Sequence, residues 1–128
     1  MIETANCKNI EVILNPSDEE VKANLQKSQA FILPSYYEGF GIAVLEAMSF
    51  GCIPIISNNT CGPDILSGTE LERFLIPAGD VSALEKAIRE LIKIDLAEKL
   101  FLSEIAVSIS KNFTLSKYGE RIVEKILL

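Results

Sequence analysis

Histidine is absent from this sequence of 128 residues. Its absence excludes His-based acid–base chemistry, Ser-His and Cys-His nucleophile pairs, and the common zinc sites. Cysteine is scarce: Cys7, Cys52 and Cys61 form an odd set without the spacing of metal ligands. Such a set is typical of free thiols in a reducing compartment, so we expect a cytoplasmic protein.

Long apolar runs and an excess of positive charge are also missing. No run reaches the ~20 residues of a membrane helix, and no signal peptide is visible. The chain has 12 Lys and Arg against 18 Asp and Glu, a net charge of −6. This balance argues against binding nucleic acid or an anionic membrane through bulk charge, but it is compatible with a local anion site made of backbone N–H groups.

The apolar pattern, within 48% apolar residues overall, predicts strands that alternate with helices. Strands are predicted at residues 10–14, 30–33 and 53–57, with a weaker one at 73–76 after a polar loop at 58–68. Helices are predicted at about 18–28, 41–50 and 96–110. Two more are predicted, one that starts at Asp80 or Ser82 and one that runs from Thr114 to the end. The order predicts an α/β fold, a parallel sheet with helices on both faces.

Three local features sharpen this prediction. Ser17 and Glu20 form a capping box before the first helix. The continuous apolar run at 30–33 is typical of a strand buried on both faces. The helix at 41–50 is predicted to pack through one apolar side, made of Ile42, Leu45 and Met48.

The loop at 34–41 is the first place to expect a site, because ligands of such sheets bind at the carboxyl ends of the strands. Gly39 and Gly41 flank Phe40 where the helix begins. Glycine lets the backbone approach a ligand closely, and the free N–H groups of a helix start favour phosphate. The pattern matches neither of the common glycine-rich phosphate motifs, so a tight turn that only joins strand and helix is an equal alternative.

Two glutamates, Glu38 and Glu46, flank this helix start and lie eight positions apart. At ~1.5 Å per residue their separation is roughly 12 Å or more, whereas the carboxylates of a glycosidase pair are ~5–9.5 Å apart. They are therefore not expected to act as an acid–base pair on one bond. The spacing suits two groups that hold opposite ends of an extended ligand such as a nucleotide-sugar; the alternative is two ordinary surface charges.

The segment PSYYEGFGIAVLEAM, residues 34–48, resembles the E-x7-E motif of retaining GT-B glycosyltransferases. The resemblance continues through GCIPIIS at 51–57, GPDIL at 62–66 and PAGD at 77–80. It implies two Rossmann-like domains that face a cleft, of which the C-terminal one binds a nucleotide-sugar donor. It also implies that neither a metal nor a further cofactor is required.

The resemblance assigns roles to single residues. Glu38 would contact the hydroxyls of the donor sugar and, as the catalytic residue, stabilise an oxocarbenium-like transition state. Glu46 would accept hydrogen bonds from the ribose hydroxyls. The backbone amides that would hold the sugar and the diphosphate belong to Gly39, Phe40, Gly41, Ile42 and Ala43.

The resemblance also shows what this sequence does not include. Residues 1–128 would be a partial donor domain, without the acceptor domain and without the first βα units that carry the diphosphate-binding cations. No basic residue lies between Lys27 and Arg73, although a departing diphosphate needs cations or a metal. We expect the isolated chain to be inactive. Three alternatives stay open: the donor-binding part of a transferase, a nucleotide-sugar-binding module or subunit that complements another chain, and a degenerate domain that serves only for interaction. A missing domain would place the protein at the membrane periphery.

The same comparison predicts a defect in the sheet. If the strand order is 3-2-1-4-5-6, two central strands are absent and residues 30–33 form an exposed edge. An exposed apolar edge favours pairing with another chain. We expect either that the strand at 10–14 pairs with it or that the chain self-associates through this edge or through its terminal helix.

Overall fold

The protein, described by a computed structural model, is defined for residues 8–37, 39–59 and 61–113 and for positions 120, 123, 124 and 126. The helices are α1 (Asp18–Lys27), α2 (Ile42–Ser49), α3 (Gly62–Leu66), α4 (Val81–Lys93) and α5 (Leu96–Asn112). The strands are β1 (Ala30–Leu33), β2 (Ile53–Ser57) and β3 (Leu75–Ile76), and a 3₁₀ turn (Glu72–Phe74) leads into β3.

The three strands form a parallel sheet in the order β1-β2-β3. All five residues of β2 are buried. Because successive side chains of a strand point to opposite faces, this burial means that helices cover the sheet on both faces. The predicted Rossmann-like α/β architecture is confirmed.

The core lies around β2 and is made of aliphatic side chains with one phenylalanine. Its largest fully buried side chains include Phe74, Met48, Ile53, Leu66, Leu71 and Leu102. Helices α2 and α5 pack against each other, and the hydroxyl of Ser103 donates to the carbonyl of Gly51 over 2.7 Å. Gly51 has a φ of +83°, so it ends α2 in the left-handed conformation that the sequence predicted for a helix stop.

Side-chain caps fix the starts of α1, α4 and α5, the last through Asp95, which accepts from the N–H of Glu98 over 2.8 Å. Ser17 and Glu20 form the predicted capping box before α1, with bonds of 3.2 and 2.7 Å. At the start of α4, the carboxylate of Asp80 accepts a hydrogen bond from the N–H of Ala83. Of the two residues predicted to start this helix, Asp80 is therefore the cap. Helices α1 and α4 differ in packing, because α1 buries none of its residues whereas α4 buries Ala87 and Leu91.

The prediction of a first strand at 10–14 is wrong. These residues are not in a strand, and the side chains of Ile10, Val12, Ile13 and Leu14 are exposed. Their β-branched residues favour an extended chain, but a strand needs a partner. Residues 10–14 pair neither with β1 nor with any other described strand, so they form no strand.

The prediction that residues 30–33 are buried on both faces is also wrong. β1 is the edge of the sheet and pairs only with β2 in the part of the chain that is described. Ile32 is 42% exposed, and its three neighbours in the strand are half-buried. The apolar run therefore marks an uncovered edge, which is the outcome that the strand-order argument predicted.

Two smaller predictions need correction. Residues 73–76 form a strand only at Leu75–Ile76, because the 3₁₀ turn takes the preceding residues. The polar loop at 58–68 contains α3, whose first turn holds a proline, a residue suited to a helix start. Most of the helix predicted from Thr114 lies outside the described residues; positions 120, 123, 124 and 126 are helical. No helix of the described ranges has the length and apolar character to cross a membrane.

We expect the caps of α1 and α4 to differ in their effect on stability. Losing a cap costs about 1 kcal/mol. In Ser17→Ala the lost stability should affect α1 alone, because α1 buries no residue. Amide exchange within α1 should become about fivefold faster, while Tm stays constant. In Asp80→Ala the loss should lower Tm by about 4 °C. Hydrogen exchange and calorimetry measure the two effects; equal losses of Tm would contradict the packing difference.

Candidate functional site

Three loops meet at one edge of the sheet, because the carboxyl ends of parallel strands lie at the same edge. The side-chain amide of Asn59, after β2, donates to the carbonyl of Tyr36, after β1. Gly79, after β3, lies so close to Tyr36 that a Cβ on the glycine would overlap the tyrosine hydroxyl. The loops that follow β1, β2 and β3 therefore form one surface, at the position where such sheets bind ligands.

Gly41 begins α2 in a conformation and a space that only glycine fits. Its φ of +70° is left-handed. A Cβ at this position would lie 2.9 Å from the Sγ of Cys61 and 3.0 Å from the Cδ1 of Ile65. Gly39 differs, since a Cβ there would meet no atom within 4 Å. The close approach of the α2 start to the α3 segment therefore depends on Gly41 alone.

The first turn of α2 has N–H groups without acceptors in the helix. The first intrahelical bond runs from the N–H of Leu45 to the carbonyl of Gly41, over 2.9 Å. The N–H groups of Ile42, Ala43 and Val44 precede it. Among the residues that the structure describes, no side chain caps the helix, and its first turn contains no acidic residue. Partial positive charge is thus concentrated at the carboxyl edge of the sheet.

The predicted packing side of α2 is wrong in one residue that matters for the site. Val44, Ala47 and Met48 are buried, whereas Ile42 is 70% exposed. The buried stripe begins one half-turn later than the sequence suggested, because the helix starts at the rim of the sheet. The backbone around Ile42 is consequently open to a ligand, and Phe40 beside it is exposed as well.

Glu46 lies one turn along α2 from these N–H groups. Its side chain is exposed, and no hydrogen bond or ion pair engages its carboxylate within the described part of the chain. Glu38 lies outside the described residues. The separation of the two carboxylates, and the role of Glu38, therefore stay predictions.

The cations nearest in sequence are not at this site. The guanidinium of Arg73 is 3.4 Å from a carboxylate oxygen of Glu90 and 2.7 Å from one of Glu98. Lys27 ends α1, just before β1, and so belongs to the amino-terminal edge of the sheet. The three strand-end loops carry no lysine or arginine. The positive potential of the surface comes from backbone N–H groups.

Ser57, Asn59 and Cys61 are site residues that the sequence reasoning missed. Ser57 ends β2 and is 5% exposed, yet its Oγ has no hydrogen-bond partner; the Oδ1 of Asn59 is buried and unpaired as well. All three residues line a cavity of about 10 Å³ beside α2. Their position directly after a buried strand was the available signal.

The thiols and the metal-ligand residues suggest no further chemistry. Within the described part of the chain, Cys52 and Cys61 form no disulfide. Burial raises the pKa of the Cys52 thiol, which therefore stays protonated and donates to the carbonyl of Leu25 over 3.3 Å. Among the residues that the structure describes, no three Cys, Asp or Glu side chains come together as a metal site would require.

Comparison with known proteins points to one family. A family model described as "Glycosyl transferases group 1" matches residues 1–105. The chain is 47% identical over 49 residues, 38% of its length, to the GDP-mannose:cellobiosyl-diphosphopolyprenol alpha-mannosyltransferase of Xanthomonas oryzae. It is 39% identical over 64 residues, 50% of its length, to the UDP-Gal:alpha-D-GlcNAc-diphosphoundecaprenol alpha-1,3-galactosyltransferase of Escherichia coli.

A third relative is matched over more of the chain. This is the 2-deoxystreptamine N-acetyl-D-glucosaminyltransferase of Niallia circulans, 38% identical over 97 residues, 74% of this chain. The matches span 13%, 16% and 24% of the three relatives' own lengths. The matched segments thus cover less than a quarter of each of these proteins.

Substitution of the two glycines should separate their roles. Gly41→Ala should lower the free energy of unfolding by about 2–4 kcal/mol, the sum of a left-handed alanine and its crowding against Cys61. In a Cys61→Ala background the same change should cost about 1–2 kcal/mol less. Gly39→Ala, the matched control, should change stability by less than about 0.5 kcal/mol. Denaturant titration measures all four; additive losses at 41 and 61 would contradict the contact.

Proposed function

Because this chain belongs to the group 1 glycosyl transferases, we propose that it binds the nucleotide-sugar donor of a sugar transfer at the start of α2. The observation that carries the proposal is the uncapped first turn of α2, with the N–H groups of Ile42 and Ala43 at the carboxyl edge of the sheet. Gly41 supports it, since its left-handed turn packs against Cys61 and Ile65 and so fixes where the first N–H groups of α2 lie at this edge.

The ligand would lie along the strand-end surface. The amides from Gly39 to Ala43 hold the diphosphate and the adjoining sugar. Glu46, one turn on and without an engaged carboxylate, accepts from the ribose hydroxyls. Glu38 contacts the sugar hydroxyls and stabilises positive charge that develops on the anomeric carbon, the catalytic role. The E-x7-E resemblance supports retention of the anomeric configuration.

Two relatives support a nucleoside diphosphate sugar as the donor class. Their names specify GDP-mannose in one case and UDP-Gal in the other. Base and sugar both differ between these donors, whereas the diphosphate is common to them. The start of α2 would therefore bind the diphosphate, which is the group that both donors share. The proposed donor is accordingly a nucleoside diphosphate sugar.

The donor-binding role is proposed for residues 1–128 as a partial donor domain. A departing diphosphate needs positive charge, but Arg73 is held by Glu90 and Glu98 and the strand-end loops have no cation. We infer that the cations and the acceptor-binding half of the cleft come from polypeptide outside these residues. The second candidate, a nucleotide-sugar-binding module or subunit without turnover of its own, is favoured by the same observation.

We also infer a location in the cytoplasm, peripheral to the membrane through the further domain. Cys52 and Cys61, which form no disulfide among the described residues, support a reducing compartment. Neither nucleic acid nor a metal has a part in the proposal.

Loss of each glutamate should weaken binding in its own way. Calorimetry compares a nucleoside diphosphate with its sugar conjugate, as UDP with UDP-glucose and GDP with GDP-mannose. Glu38→Ala should remove the extra affinity of the sugar conjugate and leave the nucleotide unaffected. Glu46→Ala should weaken both ligands by about 1.5–3 kcal/mol, the value of a hydrogen bond to a charged group.

Glu104→Ala is the control, because it removes an exposed glutamate from α5 and should change neither affinity. The reverse pattern, with Glu38 needed for the nucleotide and Glu46 for the sugar, would contradict the assignment of the two ends. Absence of binding at millimolar concentration would end the proposal for this chain.

The uncovered edge of β1 supports a further proposal, that the isolated chain self-associates by strand pairing. Lysine on an edge strand opposes such pairing, so Ile32→Lys should shift sedimentation velocity toward the monomer. Ile92→Lys, which adds the same charge at an exposed position of α4, should not. A monomeric wild-type chain, or equal effects of both variants, would contradict pairing through β1.

A further inference from the structure

Asn59 connects two of the strand-end loops through its side chain. Its Nδ2 donates to the carbonyl of Tyr36, which stands two residues before Glu38 in the chain. The backbone just before Asn59 is itself fixed, because the N–H of Asn58 donates to the carbonyl of Ile76 in β3 over 2.7 Å. The amide therefore holds the Tyr36 carbonyl from an anchored base.

The carbonyl oxygen of the same side chain belongs to a hydrogen-bond network that is incomplete among the described residues. The Oδ1 of Asn59 and the Oγ of Ser57 are buried without a hydrogen-bond partner. Leaving such atoms unpaired costs about 1–3 kcal/mol each. Both residues line a cavity of about 10 Å³, together with Val44 of the first α2 turn, and this is the volume that one water molecule requires.

We propose that Asn59 is a positioning residue for the loop that leads to Glu38 and that a water molecule held with Ser57 locks it in place. The water donates to the Oδ1 of Asn59 and bonds to the hydroxyl of Ser57. This orients the amide so that its Nδ2 faces the Tyr36 carbonyl. The proposal rests on the proposed function in one respect, that the loop carries the glutamate that meets the sugar.

The consequence for binding is selective. The N–H groups of Ile42 and Ala43 belong to α2, whose start packs through Gly41 against the α3 segment, whereas the side-chain bond of Asn59 goes to the loop before the helix. Loss of the Asn59 bond should therefore release the loop before α2 and spare the helix start. The sugar-dependent part of donor affinity should fall, while nucleotide affinity should stay unchanged.

Asn59→Asp tests this with the least change of shape, because it replaces the donating amide by an oxygen that repels the Tyr36 carbonyl. The full chain is compared with Asn58→Asp, which adds the same charge at the exposed neighbouring residue. In the ligand-free protein, amide exchange at residues 36–41 should become about fivefold faster in Asn59→Asp. The Asn58→Asp control should match the wild type.

Ser57→Ala tests the water. If the hydroxyl were unpaired, its removal would raise Tm or leave it constant, whereas loss of a water-linked hydroxyl should lower Tm. Exchange at 36–41 should also quicken in Ser57→Ala, though less than in Asn59→Asp. An unchanged or higher Tm would overturn the water, and unchanged exchange in Asn59→Asp would overturn the positioning role.

Calorimetry with UDP and UDP-glucose, and with GDP and GDP-mannose, measures the ratio of sugar-conjugate affinity to nucleotide affinity. Loss of a residue with a purely structural role would leave this ratio unchanged. The ratio of the two affinities should fall about fivefold in Asn59→Asp with nucleotide affinity unchanged. Equal loss for both ligands would overturn the selective role. If the wild-type chain bound no nucleotide-sugar, the proposed function would fail, while the exchange experiment would still decide whether Asn59 holds the loop.

Discussion

The close contact between the start of α2 and the α3 segment is the constraint on which the site depends. With no side chain at Gly41, the backbone can adopt a φ of +70° and lie against Cys61 and Ile65. That contact fixes where α2 begins, and therefore where its unpaired N–H groups lie. A helix that began one residue earlier or later would direct other amides at the rim of the sheet, so the proposed diphosphate site depends on the missing Cβ of Gly41.

The parallel sheet is the second constraint on the site. Parallel strands bring three loops to one edge, and bonds between loops, such as that from Asn59 to Tyr36, join them into one surface. The loops that form it carry no lysine or arginine, and among the described residues Arg73 is bound by Glu90 and Glu98. A surface of backbone dipoles without cations can hold a diphosphate but does little to help it depart. The proposed separation of donor binding from catalysis is compatible with matched segments that cover less than a quarter of each of the three relatives compared.

Much of the fold was predictable because it is encoded locally. The capping box at Ser17, the buried strand β2 and the stop at Gly51 depend on residues close in sequence. The errors share a cause, which is that apolar pattern reports the tendency to be buried but not the presence of a neighbour. Residues 10–14 and Ile32 look like core yet are exposed, since no described element covers them. Ser57 and Asn59 escaped notice because their unpaired atoms emerge only from packing between loops.

The most direct test of the central claim is to follow the backbone amides by ¹H–¹⁵N NMR while a nucleotide-sugar is added to the isolated chain. The account predicts that the amides of Ile42, Ala43 and Val44 shift first and furthest, that the nucleoside diphosphate alone shifts the same three, and that those of α4 stay still. Shifts centred on α4 or α5, or none at the α2 start at millimolar donor, would contradict it.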